Sequence, residues 1–136
     1  MTRRLANKFI QYHGFSILCG LGILILCTIR IPPQDNVSMF PNFDKFVHFM
    51  MYFSLSIAII LETLKLKSQA GKSIFRTFIA ALIISAVFGA LIEFIQGTFT
   101  SYRSASFMDW VADMAGSVLA CLFIGLIHLA FRSRGR

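Results

Sequence analysis

Acidic side chains are scarce in this chain: six Asp and Glu stand against 13 Lys and Arg in 136 residues, and charged residues of both signs make up only 14%. Soluble domains draw about a quarter of their residues from the charged set, so this composition excludes a free-standing water-soluble fold. Cysteine occurs three times. Cys19, Cys27 and Cys121 show neither the paired spacing of a zinc site nor that of an extracytoplasmic disulfide, and all three fall inside apolar stretches, where they read as packing residues. Proline is confined to Pro32, Pro33 and Pro41, which leaves the rest of the chain free of its strongest helix breaker.

Hydrophobic residues are abundant, at 57% of the chain with a mean hydropathy of +0.73. A helix needs about 20 apolar residues to cross a bilayer, and four such stretches use up most of the length. The expected fold is therefore all-α, an integral membrane four-helix bundle occupying residues 1–136 as one domain, with helices near 9–30, 45–64, 77–97 and 106–131. The first stretch has the basic start of a secretory signal. No small-x-small cleavage site follows it, and it passes instead to Arg30, Ile31, Pro32 and Pro33, so it reads as an uncleaved helix. The prolines with Asp35, Asn36 and Asn42 mark a loop, and residues 97–104 a short turn rich in Gly, Thr and Ser. Ser106 is an expected cap for the fourth helix, with Asp109 three residues on.

The basic residues orient the bundle. With both termini cytoplasmic, Arg3, Arg4, Lys8, Lys65, Lys67, Lys72, Arg76, Arg132, Arg134 and Arg136 lie inside, and only Arg30, Lys45 and Arg103 outside. The net charge of +7 is thus a topology signal and a match to anionic inner-leaflet lipid. It is no argument for nucleic acid, because nothing in the chain resembles a base-reading module. The expected location is the bacterial cytoplasmic membrane, as a multi-pass protein.

Against this background the placement of the acids is informative. Asp44, Glu93, Asp109 and Asp113, four of the six, fall toward the same extracytoplasmic ends of three helices. A charge toward the bilayer centre costs about 2.5–3.5 kcal/mol on insertion scales, so intramembrane acids mark functional candidates by default. At 100° per residue, Asp44, Lys45, His48 and Tyr52 share an arc of about 100° on the second helix. Ser85, Gly89, Glu93, Gln96 and Gly97 form a comparable stripe on the third, and Ser106, Asp109, Asp113, Gly116 and Ser117 one on the fourth, with small residues permitting close helix approach. Such residues can serve purely to pin helices together. Four acids facing two permanent bases, Lys45 and Arg103, and one histidine exceed that need, and leftover negative charge points to protons, a metal ion or a cationic ligand group. His13, Glu62 and His128 lie near helix ends on the cytoplasmic side, where interfacial water makes a polar residue ordinary.

The run Asp44-Lys45-Phe46-Val47-His48-Phe49-Met50-Met51-Tyr52, then Glu93-Phe94-Ile95-Gln96, then Arg103 with Ser106, Asp109 and Gly116, resembles the VanZ-like family of small bacterial membrane proteins over roughly residues 30–125. Asp113 departs from that pattern, which leads one to expect an asparagine there, and so adds an acid to the site. The resemblance implies a multi-pass helical protein. The family's founding member is associated with resistance to the glycopeptide teicoplanin, which acts outside the cytoplasmic membrane on cell-wall precursor; no established reaction comes with it.

Two functions follow. In the first, the pocket formed by Asp44, Lys45, His48, Tyr52, Glu93, Gln96, Arg103, Ser106, Asp109 and Asp113 binds a membrane lipid, a lipid-linked envelope precursor or a partner, and thereby modulates glycopeptide susceptibility. In the second, the protein is an enzyme or transporter for a lipid-linked phosphate. Arg103 and Lys45 then hold the phosphate, His48 moves a proton, and Asp109 with Asp113, at i and i+4, bind a divalent cation as the sole cofactor. Neither a nucleophile–base pair nor a complete metal signature is present, which favours binding over catalysis. A four-helix multidrug exporter is disfavoured because its coupling carboxylate would belong in the first span, which has none.

Overall fold

The computed structural model describes residues 2–29, 42–67, 73–101 and 104–134, with the backbone alone for residues 2–11, 66, 67 and 134. Four helices account for nearly all of them: α1 (Thr2–Thr28), α2 (Phe43–Lys67), α3 (Ile74–Phe99) and α4 (Phe107–Arg134). No strand occurs among the described residues. Each helix extends a few residues beyond the apolar stretch that predicts it, since a polar turn at the membrane surface propagates a helix without needing hydrophobic residues.

Three of the helices are long and apolar enough to cross a membrane, over Phe43–Lys65, Ile74–Phe99 and Phe107–Ser133. α1 is helical from Thr2 to Thr28, and its described side chains, Tyr12–Thr28, form an apolar stretch as well. His13 has non-helical angles (φ −118°, ψ 18°) and divides α1 in two.

The freed amides after that break are captured from another helix. Glu62 of α2 accepts hydrogen bonds from the backbone N–H of Phe15 (2.8 Å), the N–H of Ser16 (3.3 Å) and the Ser16 hydroxyl (2.6 Å). A carboxylate at a helix start satisfies orphan N–H donors and complements the helix dipole. Glu62 therefore acts as the cap of the inner segment of α1, a more specific role than that of a solvated interfacial residue.

Side-chain pairs fix the directions. α1 is antiparallel to α2 through Ser16–Glu62, α3 is antiparallel to α2 through the Ser56–Ser85 hydroxyl pair (3.0 Å), and α4 is antiparallel to α3 through Trp110, whose indole N–H donates to the Ala86 carbonyl (3.0 Å). Consequently α2 and α4 run parallel, and they form the most extensive helix pair in the bundle. Gly116 is what lets them meet: a Cβ built there would overlap the Phe49 carbonyl oxygen.

The bundle is apolar outside and partly polar inside. Phe15, Leu18, Phe75, Val87, Phe94, Phe99, Leu126 and Phe131 are among the large hydrophobic residues left exposed. Ile23, Cys27, Tyr52, Leu55, Ile60, Ala81, Ile92 and Cys121 form the apolar core, and His48, Ser56, Thr77, Ser85, Glu93, Gln96, Asp113 and Ser117 are buried beside it. In water this would be inverted; in hydrocarbon it is the stable arrangement, because polar groups then find partners inside.

Candidate functional site

Two polar rungs connect α2 with α4. In the outer rung the Lys45 ammonium lies 3.0 Å from Asp44 Oδ2 and 3.3 Å from Asp109 Oδ1, with the Lys45 side chain one-third exposed (33%). One turn deeper, His48 Nδ1 lies 3.0 Å from Asp113 Oδ1, and these side chains are 1% and 0% exposed. Lys45 and His48 are three residues apart on α2, Asp109 and Asp113 four apart on α4, so parallel helices bring both pairs into register. Gly89 of α3 faces the inner rung without a side chain; a Cβ there would stand 2.9 Å from Asp113 Oδ2.

Glu93 approaches from α3. Its Oε2 accepts the Ser106 N–H at 2.6 Å, while the Ser106 hydroxyl accepts the Asp109 N–H at 3.3 Å, so the expected Ser106 cap forms and is itself anchored to α3. His48, Glu93 and Asp113 are all buried and offer ligand atoms within 4.8 Å of one another. The Tyr52 hydroxyl, one turn below His48, is fully buried without a hydrogen-bond partner and within electrostatic reach of Asp113 and Glu93.

The expected site residues thus separate by role. His48, Tyr52, Glu93 and Asp113 converge in the interior, and Lys45 and Asp109 sit above them. Asp44 touches only Lys45 in this set and is largely exposed. Gln96 turns toward α1, where its amide donates to the Cys27 carbonyl at 3.0 Å and satisfies an acceptor in the last turn of that helix. Arg103 lies outside the described residues. His48, Tyr52 and Asp113 are closed over, and a recess of about 350 Å³ between α3 and the start of α4 borders Glu93 alone of this cluster, lined otherwise by Ala90, Ala105, Ser106, Phe107 and Trp110. The cation pair expected of Asp109 and Asp113 is also arranged differently. Asp109 faces Lys45, whereas Asp113 shares its surroundings with His48 and Glu93.

An apolar exterior, helices of spanning length and ionisable groups gathered inside define a helical membrane protein. The chain belongs to the VanZ/LLP1 family, whose model matches residues 6–128. No curated protein and no solved structure matches it significantly.

Proposed function

We propose that this chain is a multi-pass protein of the bacterial cytoplasmic membrane, with both termini cytoplasmic, whose outer rung engages the polar head of a lipid-linked cell-envelope component and so modulates susceptibility to glycopeptides of the teicoplanin type. The observation that supports this reading is the position of Lys45. Its ammonium is partly exposed, bridges Asp44 and Asp109, and stands at the bundle end opposite the basic residues Lys65, Arg76 and Arg132. By the positive-inside rule, that end faces the outer leaflet, where wall precursors are exposed. A cation held between two carboxylates can pass one contact to an anionic head group and keep the other, which gives a recognition site without a chemical step. Arg103, four residues before α4 in the sequence, adds a second cation next to that end.

The test compares Lys45→Gln, Asp109→Asn and Arg103→Ala with the parent at equal membrane abundance. Teicoplanin susceptibility should return to the level of cells lacking the protein in the Lys45 and Arg103 variants, with melting of the Lys45 variant in detergent nearly unchanged, because solvent-screened ion pairs contribute little to stability. Unaltered susceptibility in both would end the reading, as would a parent protein whose expression shifts no envelope-antibiotic response.

A further inference from the structure

The inner rung has a composition that recognition by Lys45 does not use. Each of three helices contributes one ligating side chain to a single buried point: His48 from α2, Glu93 from α3 and Asp113 from α4. We propose that His48, Glu93 and Asp113 bind one divalent transition-metal ion, of the zinc class, in the interior of the bundle.

The residue types suit such an ion. An imidazole nitrogen with two carboxylate oxygens is a borderline donor set, preferred by zinc and its neighbours over magnesium or calcium, which take oxygen alone. Geometry supports it. Metal–ligand bonds of 2.0–2.2 Å at tetrahedral angles give ligand–ligand edges of about 3.3–3.6 Å, and the His48 Nδ1–Asp113 Oδ1 separation is already 3.0 Å. An ion can therefore replace the proton shared by that pair, with Glu93 closing from within 4.8 Å.

A second set of observations points to the same place. Asp113 Oδ2 and the Tyr52 hydroxyl are both buried without a hydrogen-bond partner, whereas buried polar atoms are nearly always satisfied. The Tyr52 side chain is fully enclosed and within electrostatic reach of both carboxylates. A hydroxyl so placed is a donor for a water or hydroxide in the fourth position, the one that three-ligand zinc sites leave open. Gly89 lets α3 pack closely on this cluster, because a Cβ there would stand 2.9 Å from Asp113 Oδ2.

The purified full-length chain in detergent, treated with chelator and desalted, should take up about one zinc per chain and hold it through a second desalting, as read by elemental analysis. His48→Ala, Glu93→Gln and Asp113→Asn should each lower retention at least tenfold, while Asp109→Asn should retain it. This separates the site from adventitious surface binding and from the outer rung. Cobalt(II) should saturate the wild-type chain at about one equivalent with a visible absorption band of tetrahedral type. If an interior variant fails to elute as a single species, the cobalt titration of the wild-type chain decides alone. Absence of a saturating band, or equal zinc retention in a folded Asp113→Asn, overturns the site and leaves the proposal for Lys45 standing.

Discussion

Gly116 of α4 lies so close to Phe49 of α2 that any side chain at position 116 would collide with the Phe49 carbonyl. The obstacle is backbone, so it cannot rotate aside. Gly116→Ala should therefore force the parallel pair apart and destabilise the fold by about 1–3 kcal/mol, the usual range for overpacking. Gly22→Ala is the control, since nothing lies within 4 Å of a Cβ there. Unfolding of both variants in detergent measures the difference, and equal midpoints would mean that α2 and α4 do not cross at this point.

The inner rung should be strongly coupled. Removing one partner of the buried His48–Asp113 hydrogen bond leaves the other unsatisfied and costs about 1–3 kcal/mol, whereas replacing both with apolar groups can be nearly neutral. His48→Leu and Asp113→Leu are thus each expected to be more damaging than the His48→Leu/Asp113→Leu double variant. A double-mutant cycle from unfolding in mixed micelles reads the coupling directly; additive effects would show that the two side chains act independently.

Glu62 should hold the break in α1. Its loss leaves the amides of Phe15 and Ser16 without their acceptor and the Ser16 hydroxyl with the His13 carbonyl alone. In Glu62→Ala, amide exchange over residues 13–20 should quicken by about tenfold or more, while the centres of α3 and α4 keep their protection. Unchanged exchange at Phe15 and Ser16 would assign the cap elsewhere.

Topology is open to a direct measurement. In a background with Cys19, Cys27 and Cys121 replaced, a cysteine at Ser101 should react with an impermeant maleimide added to whole cells, and one at Ser133 only after the cells are opened. The reverse pattern would invert the orientation.

The class of fold was legible because a charged fraction of 14% and four long apolar stretches leave no alternative. The polar stripes were legible too. Ser85, Gly89, Glu93 and Gln96 are buried together on α3, and Asp113 and Ser117 on α4, as 100° spacing requires. Depth was harder to read. Asp109 and Asp113 share a face, yet four residues of rise, about 6 Å, separate them along the axis, so one meets Lys45 and the other His48. Burial was hidden for a similar reason: periodicity assigns a face to the interior but does not say how tightly the neighbouring helices close over it. Glu62 was illegible in a different sense. The break at His13 has no proline to announce it, and the capping carboxylate lies 47 residues from Phe15 in sequence. Gln96 belonged to the right stripe but points to α1, a choice fixed only by where the last carbonyls of that helix fall.

The parallel pairing of α2 with α4 also bears on how the protein is made. Chains emerge from their N-terminus, so α2 enters the bilayer carrying Lys45, His48 and Tyr52 well before Asp109 and Asp113 exist to receive them. α3 is made in between and can offer Glu93, but no second rung. The earliest polar helix is therefore completed by the last one synthesised, and until then its charged end must be sheltered by interfacial water or by the insertion machinery. Ribosome-stalled chains ending before α4 are intermediates in which that shelter is the whole of the support for α2, and they are the forms that membrane quality control should recognise most readily.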